Sequence, residues 1–215
     1  MAYEFNGTNQ WMNGSISIGT TLTMACWFNA DNATAFHTLL GVYSDATSNS
    51  RPYYELFASG AVAGDPVSFY AYAQGQSTGV AHSTTGYSAN TWTHACGVQS
   101  ATNSRTVYIN GGSSSTNTTT INFTPNKFRL GAFIEDNGNL ILYADARIAE
   151  AAIWNVALTA QEVASLADGF TCDKVRPQSL VFYAPLVRNL QDLKGGLTIT
   201  NNNTATVAAH PRVYA

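Results

Sequence analysis

The stretch Arg147–Gly169, RIAEAAIWNVALTAQEVASLADG, reads as a strand, a turn and a helix in a chain that is otherwise almost all strand and turn. Thr159 is a good N-cap, and Glu162 three residues later completes a capping box. In that arrangement the cap side chain and the glutamate satisfy two amide donors that the helix start would leave unpaired. Leu158 before the cap and Val163 at the fourth helical position form a hydrophobic staple. Val163 and Leu166 share one face, and Gly169 ends the element, so a short helix is expected near 160–168. Glu162 therefore has a structural task. Glu150, isolated among Ala149, Ala151 and Ala152, raises the question whether it does chemistry or builds the fold.

Outward from this stretch the hydrophobic spacing is mostly period two. In LTMACWF, Leu22, Met24, Cys26 and Phe28 alternate with Thr23, Ala25 and Trp27. In PVSFYAYA, Val67, Phe69 and Ala71 face one way, and Tyr70 and Tyr72 the other. Asn-Gly pairs at Asn6-Gly7, Asn13-Gly14, Asn110-Gly111 and Asn137-Gly138 are hairpin signals, because both residues tolerate positive φ. Many short strands with regular turns argue for a two-sheet antiparallel sandwich. GGSSSTNTTT (Gly111–Thr120) is low in complexity but too short to separate domains, so one domain over residues 1–215 is expected.

Composition bounds the function classes. The chain has 215 residues, 45% hydrophobic, which suffices for a full core. Charged residues are only 11% and the formal net charge is −3. Without a basic stretch, neither nucleic acid nor an anionic membrane is an expected partner. No apolar run approaches the ~20 residues of a spanning helix. The start, MAYEFNGTNQWMNG, lacks the basic and apolar regions of a secretory signal. Six Asn-x-Ser/Thr sequons carry no weight without one. Cys26, Cys96 and Cys172 are odd in number and widely spaced; buried free thiols are one reading, a Cys26–Cys96 bridge another.

Several motifs, in order, resemble laminin-G-like and pentraxin-like domains of the concanavalin A-like group. YEFNGTNQWM resembles their first strand, and LTMACWFNA the strand that usually ends there in Trp and an aliphatic residue. NTWTHACGVQS with RTVYINGG resembles the Trp-x-His strand and its hairpin. Ile153, Trp154, Asn155, Leu158, Thr159, Glu162 and Val163 match the closing strand and helix. The resemblance runs from Tyr3 to about Gly169 and implies an all-β jelly-roll sandwich with one short helix. The tail LVFYAPLVRNLQDLKGGLTITNNNTATVAAHPRVY is similar to the ends of laminin-G-like proteins of tailed bacteriophages. His94 falls on a family position that implies a structural hydrogen bond.

The glucanases of this fold carry their carboxylates on one strand as Glu-x-Asp-x-(x)-Glu, so that alternate residues reach the cleft. No such run exists here, and Asp145 and Glu150, five apart, point to opposite faces of an ideal strand. There is no Gly-x-Ser-x-Gly, no His-Glu-x-x-His, and GAVAG (Gly60–Gly64) lacks the Lys-Ser/Thr of a phosphate loop. An enzyme is not expected.

Two binding readings remain. The resemblance implies calcium on rim loops, with Asp45 and Asn49 in SDATSN and Glu135 and Asp136 in IEDNGN as hard-oxygen donors; Asp136-Asn137-Gly138 is equally an ordinary hairpin turn. Trp11, Tyr53, Tyr54, Tyr70 and Tyr72 are candidates to stack on sugar rings or to contact a protein partner, where Tyr and Trp are enriched. With no leader and a phage-like tail, the leading expectation is a structural virion protein, a decoration or cement protein on a capsid head. Its partners are then the major capsid protein and copies of itself. The alternative is an extracellular carbohydrate-binding module of a phage fibre or bacterial surface.

Overall fold

The computed structural model describes residues 1–45, 51–135 and 138–214. Its strands are β1 (Ala2–Asn6), β2 (Trp11–Ser15), β3 (Leu22–Ala30), β4 (Phe36–Tyr43), β5 (Tyr53–Ser59), β6 (Pro66–Tyr72), β7 (Gly79–Gly86), β8 (Thr93–Ala101) and β9 (Ser104–Ile109). They continue with β10 (Gly112–Asn117), β11 (Lys127–Leu130), β12 (Phe133–Ile134), β13 (Leu140–Ile141), β14 (Asp145–Trp154), β15 (Leu180–Ala184), β16 (Thr200–Asn202) and β17 (Thr206–Ala208). One α-helix, α1 (Ala160–Ala167), and a 3-10 turn at Cys172–Lys174 complete the elements.

Two antiparallel sheets face each other. The eight-stranded sheet runs β10-β9-β8-β3-β14-β1-β17, with β15 also on β14, and the seven-stranded sheet runs β16-β2-β11-β4-β5-β6-β7. Between them lies the main core, including Phe5, Met12, Met24, Phe28, Leu40, Val42, Tyr54, Leu56, Phe69, Phe128 and Phe182. The Phe128 and Phe182 rings meet across it at 4.4 Å. Each such side chain contributes roughly 1.5–3 kcal/mol on burial.

The far face of the eight-stranded sheet is covered by α1 and its neighbours. Ala25, Cys96, Val98, Ala152, Trp154, Leu158, Val163 and Leu166 make a second cluster there. The capping box at Thr159 and Glu162 is formed as expected. The helix ends in a Schellman arrangement, with Gly169 at φ 100° donating to Leu166 and Phe170 N–H donating to Ser165. Trp154 Nε1 donates to Val175 O at 2.8 Å, tying the 3-10 region to β14.

Glu150 belongs to this scaffold. β14 pairs with β1 over Asp145–Ile148 and with β15 over Ala151–Trp154, and the register with β3 shifts between Ala149 and Ala152. Glu150 sits in that bulge at φ 52° and is buried. Tyr183 Oη donates to its Oε2 at 2.6 Å, and His210 Nε2 stands 3.2 Å from its Oε1. Burial first, and the Glu150 charge second, keep the Tyr183 phenol protonated as the donor.

Some local expectations are corrected. Asn110-Gly111 is a hairpin turn between β9 and β10, both residues at positive φ. Asn13-Gly14 is no turn: it lies inside β2, where Gly14 lets the Phe128 ring lie against the backbone. Asn6-Gly7 turns the chain from one sheet to the other instead of joining paired strands. Asn137 lies outside the described residues. Cys26 and Cys96 point to opposite faces of one sheet, one in each cluster, so all three cysteines are free thiols. The structural hydrogen bond expected of His94 is not one its ring is seen to make: its backbone N–H donates to Asn110 Oδ1 at 2.9 Å. Its ring packs on Trp27 at 5.4 Å, Nδ1 has no partner, and burial pushes its pKa down to about 3.

Candidate functional site

Alternation along each strand puts half of the seven-stranded sheet's side chains on the face turned away from the core. Register then aligns them into rows. One row reads Ser15, Lys127, Tyr43, Tyr53, Tyr72 across β2, β11, β4, β5 and β6. The next reads Asn13, Arg129, Gly41, Glu55, Tyr70. Trp11 stands beside the second row, with its ring centroid 5.2 Å from the Arg129 guanidinium. Tyr43 flanks the same guanidinium at 4.3 Å. The β12–β13 hairpin folds onto this face and brings Phe133 to 4.8 Å from Tyr53 and 5.8 Å from Phe57.

The centre of the face holds a buried charge arrangement. Glu55 and Arg129 are 3% and 2% exposed and flank Gly41 on neighbouring strands. A side chain at residue 41 would collide with the Glu55 carboxyl, so glycine there makes the room it occupies. Burial pushes the Glu55 pKa well above the usual carboxylate range, and the Arg129 charge offsets only part of that. Among the described residues, Glu55 Oε1 and Arg129 Nε have no hydrogen-bond partner.

Toward the β16 edge the face opens into a depression of about 630 Å³ lined by Asn13, Ser15, Tyr43, Asp45, Lys127 and the 196–200 segment. Asp45 is already engaged there. Asn126 Nδ2 donates to its Oδ1 at 2.6 Å, and Lys127 Nζ lies 3.5 Å from Oδ2. The Asn126 hydrogen bond, more than the Lys127 charge, holds its carboxyl below the usual range. Glu135 begins the β12–β13 turn, its N–H donating to Asn139 O and its carbonyl accepting from Gly138. Asn49 and Asp136, the other two candidate calcium donors, lie outside the described residues. Among the described residues no three His, Cys, Asp or Glu side chains gather to hold a metal ion.

Of the aromatic candidates, Trp11, Tyr53, Tyr70 and Tyr72 share the outer face and are half-buried. Tyr54 is corrected: it is fully buried, stacks on Phe123 at 4.4 Å in the core, and offers nothing to a ligand. Adjacent strand residues face opposite ways, so Tyr53 and Tyr54 are never on one surface. Sequence reasoning missed Tyr43, Glu55, Phe57 and Arg129. Parity alone would have placed Glu55 and Phe57 with Tyr53.

The fold and this open aromatic face define a lectin-like sandwich. The family model for Laminin_G_3, of the concanavalin A-like lectin/glucanases superfamily, matches residues 6–164, and the chain belongs to that family. No curated protein matches. Solved structures show the same fold at low identity. A Bacteroides ovatus protein provisionally assigned to carbohydrate binding has a TM-score of 0.68 at 17% identity, covering 100% of this chain and 61% of that one. The CBM40 of the Ruminococcus gnavus IT-sialidase, bound to α2,3 sialyllactose, has a TM-score of 0.59 at 12% identity, covering 78% of this chain and 98% of that one. A tailspike protein from Escherichia coli bacteriophage CAB120 has a TM-score of 0.59 at 12% identity, covering 87% of this chain and 27% of that one.

Proposed function

We propose that the protein is a non-catalytic glycan-binding module that receives a sugar chain on the outer face of its seven-stranded sheet. The observation that carries this reading is the half-exposed cross-strand pair Tyr53 and Tyr72, with Trp11 and the polar Asn13, Ser15 and Lys127 on the same face and Tyr43 buried between them against Arg129. Aromatic faces cover the apolar faces of sugar rings, and neighbouring amide, hydroxyl and ammonium groups bind the equatorial hydroxyls. Hydrolysis would need a pair of carboxylates across one bond. On this face Glu55 is buried and Asp45 is occupied, while Glu150 and Glu162 serve the scaffold. The carbohydrate-binding neighbours support the same reading. A glycan array tests it: binding above background that is lost in Tyr53→Ala and Tyr72→Ala is expected, and no binding to any glycan refutes it.

A second reading places this module, as one domain over residues 1–215, on the virion of a tailed bacteriophage, as a capsid decoration protein contacting the major capsid protein and its own copies. The phage-like tail motif and the tailspike neighbour favour it. Electron microscopy of the source particle decides between a regular array on the head and an extracellular module off it. Calcium at the rim, through Asp45 and Glu135, is a subsidiary proposal. It predicts a rise in melting temperature with millimolar calcium that a chelator reverses, and no shift removes it.

A further inference from the structure

The outer face does not end at the tyrosine pair. The Tyr53 and Tyr72 rings lie 5.6 Å apart, Tyr53 and Tyr70 wall one shallow hollow of about 140 Å³, and the Tyr70 and His82 rings meet edge to face at 6.2 Å. The surface therefore runs from Tyr72 through Tyr53 and Tyr70 to His82 on β7, which is itself exposed.

Ser68 sits under this end of the face. Alternation puts it on the same side of β6 as Tyr70 and Tyr72, and register sets it opposite Phe57 on β5 and His82 on β7. It is fully buried, and its Oγ lies 2.7 Å from His82 Nδ1. Among the described residues the Ser68 side chain makes no other hydrogen bond. A buried hydroxyl gives its proton to the acceptor it has. Burial lowers the His82 pKa from the ordinary imidazole value, so at neutral pH the ring is neutral, with one N–H and one bare nitrogen. Ser68 Oγ–H therefore donates to Nδ1, and the ring proton stands on Nε2. Neighbouring bonds fix the strand that carries it. Val67 N–H donates to Ser83 Oγ at 2.9 Å where the register of β6 and β7 shifts, and Ser115 Oγ donates to His82 O. With no exposed surface Ser68 cannot act as a nucleophile, so the pair orients a ring and is not a catalytic dyad.

We propose that His82 is a ligand-contact residue of this face, its Nε2–H donating to a hydroxyl or ring oxygen of the bound glycan, with Ser68 as the positioning residue that fixes the tautomer. This rests on the glycan-binding reading and extends its site to β7. Nε2 has no hydrogen-bond partner among the described residues, and the side chain that carries it is exposed beside Tyr70. A donor whose direction and tautomer are set before binding loses little freedom when a ligand oxygen meets it. One such hydrogen bond changes affinity about fivefold.

Two measurements test this. Nitrogen-15 NMR of the histidine rings at neutral pH is expected to show His82 as the single Nε2–H tautomer, and Ser68→Ala to give a mixture of the two. A glycan array of neutral and acidic oligosaccharides is followed by calorimetry with the glycan it binds most strongly. His82→Ala should weaken that binding about fivefold with the melting temperature nearly unchanged, and His82→Gln, whose amide N–H stands near the place of Nε2–H, should stay within about twofold of wild type. An Nδ1–H tautomer in the wild-type protein overturns the inference whatever the variants do. Wild-type affinity in His82→Ala, beside a loss in Tyr72→Ala, overturns it and leaves the glycan reading standing. Equal losses in His82→Gln and His82→Ala overturn the donor role. Binding to no glycan overturns both readings.

Discussion

Gly41→Ala is the sharpest probe of the ligand face. Gly41 lies between Glu55 and Arg129, and a methyl group there would collide with the carboxyl and carboxylate carbon of Glu55. Glu55 is 3% exposed, so its head has no solvent to retreat into. Overpacking of this kind costs about 1–3 kcal/mol. With a urea m-value near 2 kcal/mol/M, a cost of about 2 kcal/mol lowers the unfolding midpoint by about 1 M. Tryptophan fluorescence during urea titration reads this directly. The decisive comparison is the double variant Gly41→Ala/Glu55→Ala. Shortening Glu55 removes the collision, so the two changes should be non-additive by at least about 1 kcal/mol, the double variant being more stable than the sum of the single costs. If Gly41→Ala costs less than about 0.5 kcal/mol, within the range of ordinary surface changes, or if the two costs simply add, the claim that residue 41 makes room for a buried carboxyl is wrong.

Three further outcomes follow from named contacts. Tyr53→Ala and Tyr72→Ala should each weaken glycan binding about tenfold, Tyr72→Ala with little change in melting temperature and Tyr53→Ala with a lower one, because the Tyr53 ring also packs on Phe133; calorimetry with thermal unfolding separates the two effects. Thr159→Ala removes the N-cap of α1 and should cost about 1 kcal/mol in chemical denaturation, with Thr159→Gly costing less than that. Glu55 governs a pH dependence: its folded-state pKa is raised, so between the ordinary carboxylate range and that raised value the unfolded chain has lost a proton that the folded chain still holds. Stability therefore falls as pH rises through that window, and Glu55→Gln should flatten the slope measured by denaturation from acid to neutral pH.

What could be read in the sequence was whatever depends on near neighbours. The helix was legible because Thr159, Glu162, Val163 and Gly169 act on one another within a few residues, and each kept its role. The strand pattern was legible for the same reason. The face was only partly so. Tyr53 and Tyr72 belong to it because β5 and β6 pair in the register Tyr53 to Tyr72, and Arg129 joins it because β11, more than eighty residues after β4, inserts between β2 and β4. Nothing near Arg129 in the chain announces that. Gly14 misled in the opposite way: Asn-Gly is a turn signal, but the Phe128 ring held Gly14 in a strand.

Three buried or capping glutamates illustrate how position, not residue type, assigns a task. Glu162 meets backbone N–H at a helix start, where a carboxylate is stabilised by the unpaired donors. Glu150 fills a bulge in β14 at the point where its outer partner changes from β1 to β15, and Tyr183 and His210 meet it there. Both serve the scaffold, Glu162 with both oxygens hydrogen-bonded and Glu150 with Tyr183 on one oxygen and His210 Nε2 3.2 Å from the other. Glu55 is as buried as Glu150, but its Oε1 has no hydrogen-bond partner among the described residues, and the charge that faces it is the Arg129 guanidinium, itself 2% exposed. A fold that keeps such an acid next to the half-exposed Tyr53 and Tyr72 bears a stability cost at that point. Removing the carboxyl also leaves the buried Arg129 guanidinium without the acid beside it, so Glu55→Leu should lower stability by about 3 kcal/mol in chemical denaturation. A variant as stable as the wild type would mean that Arg129 does not depend on Glu55.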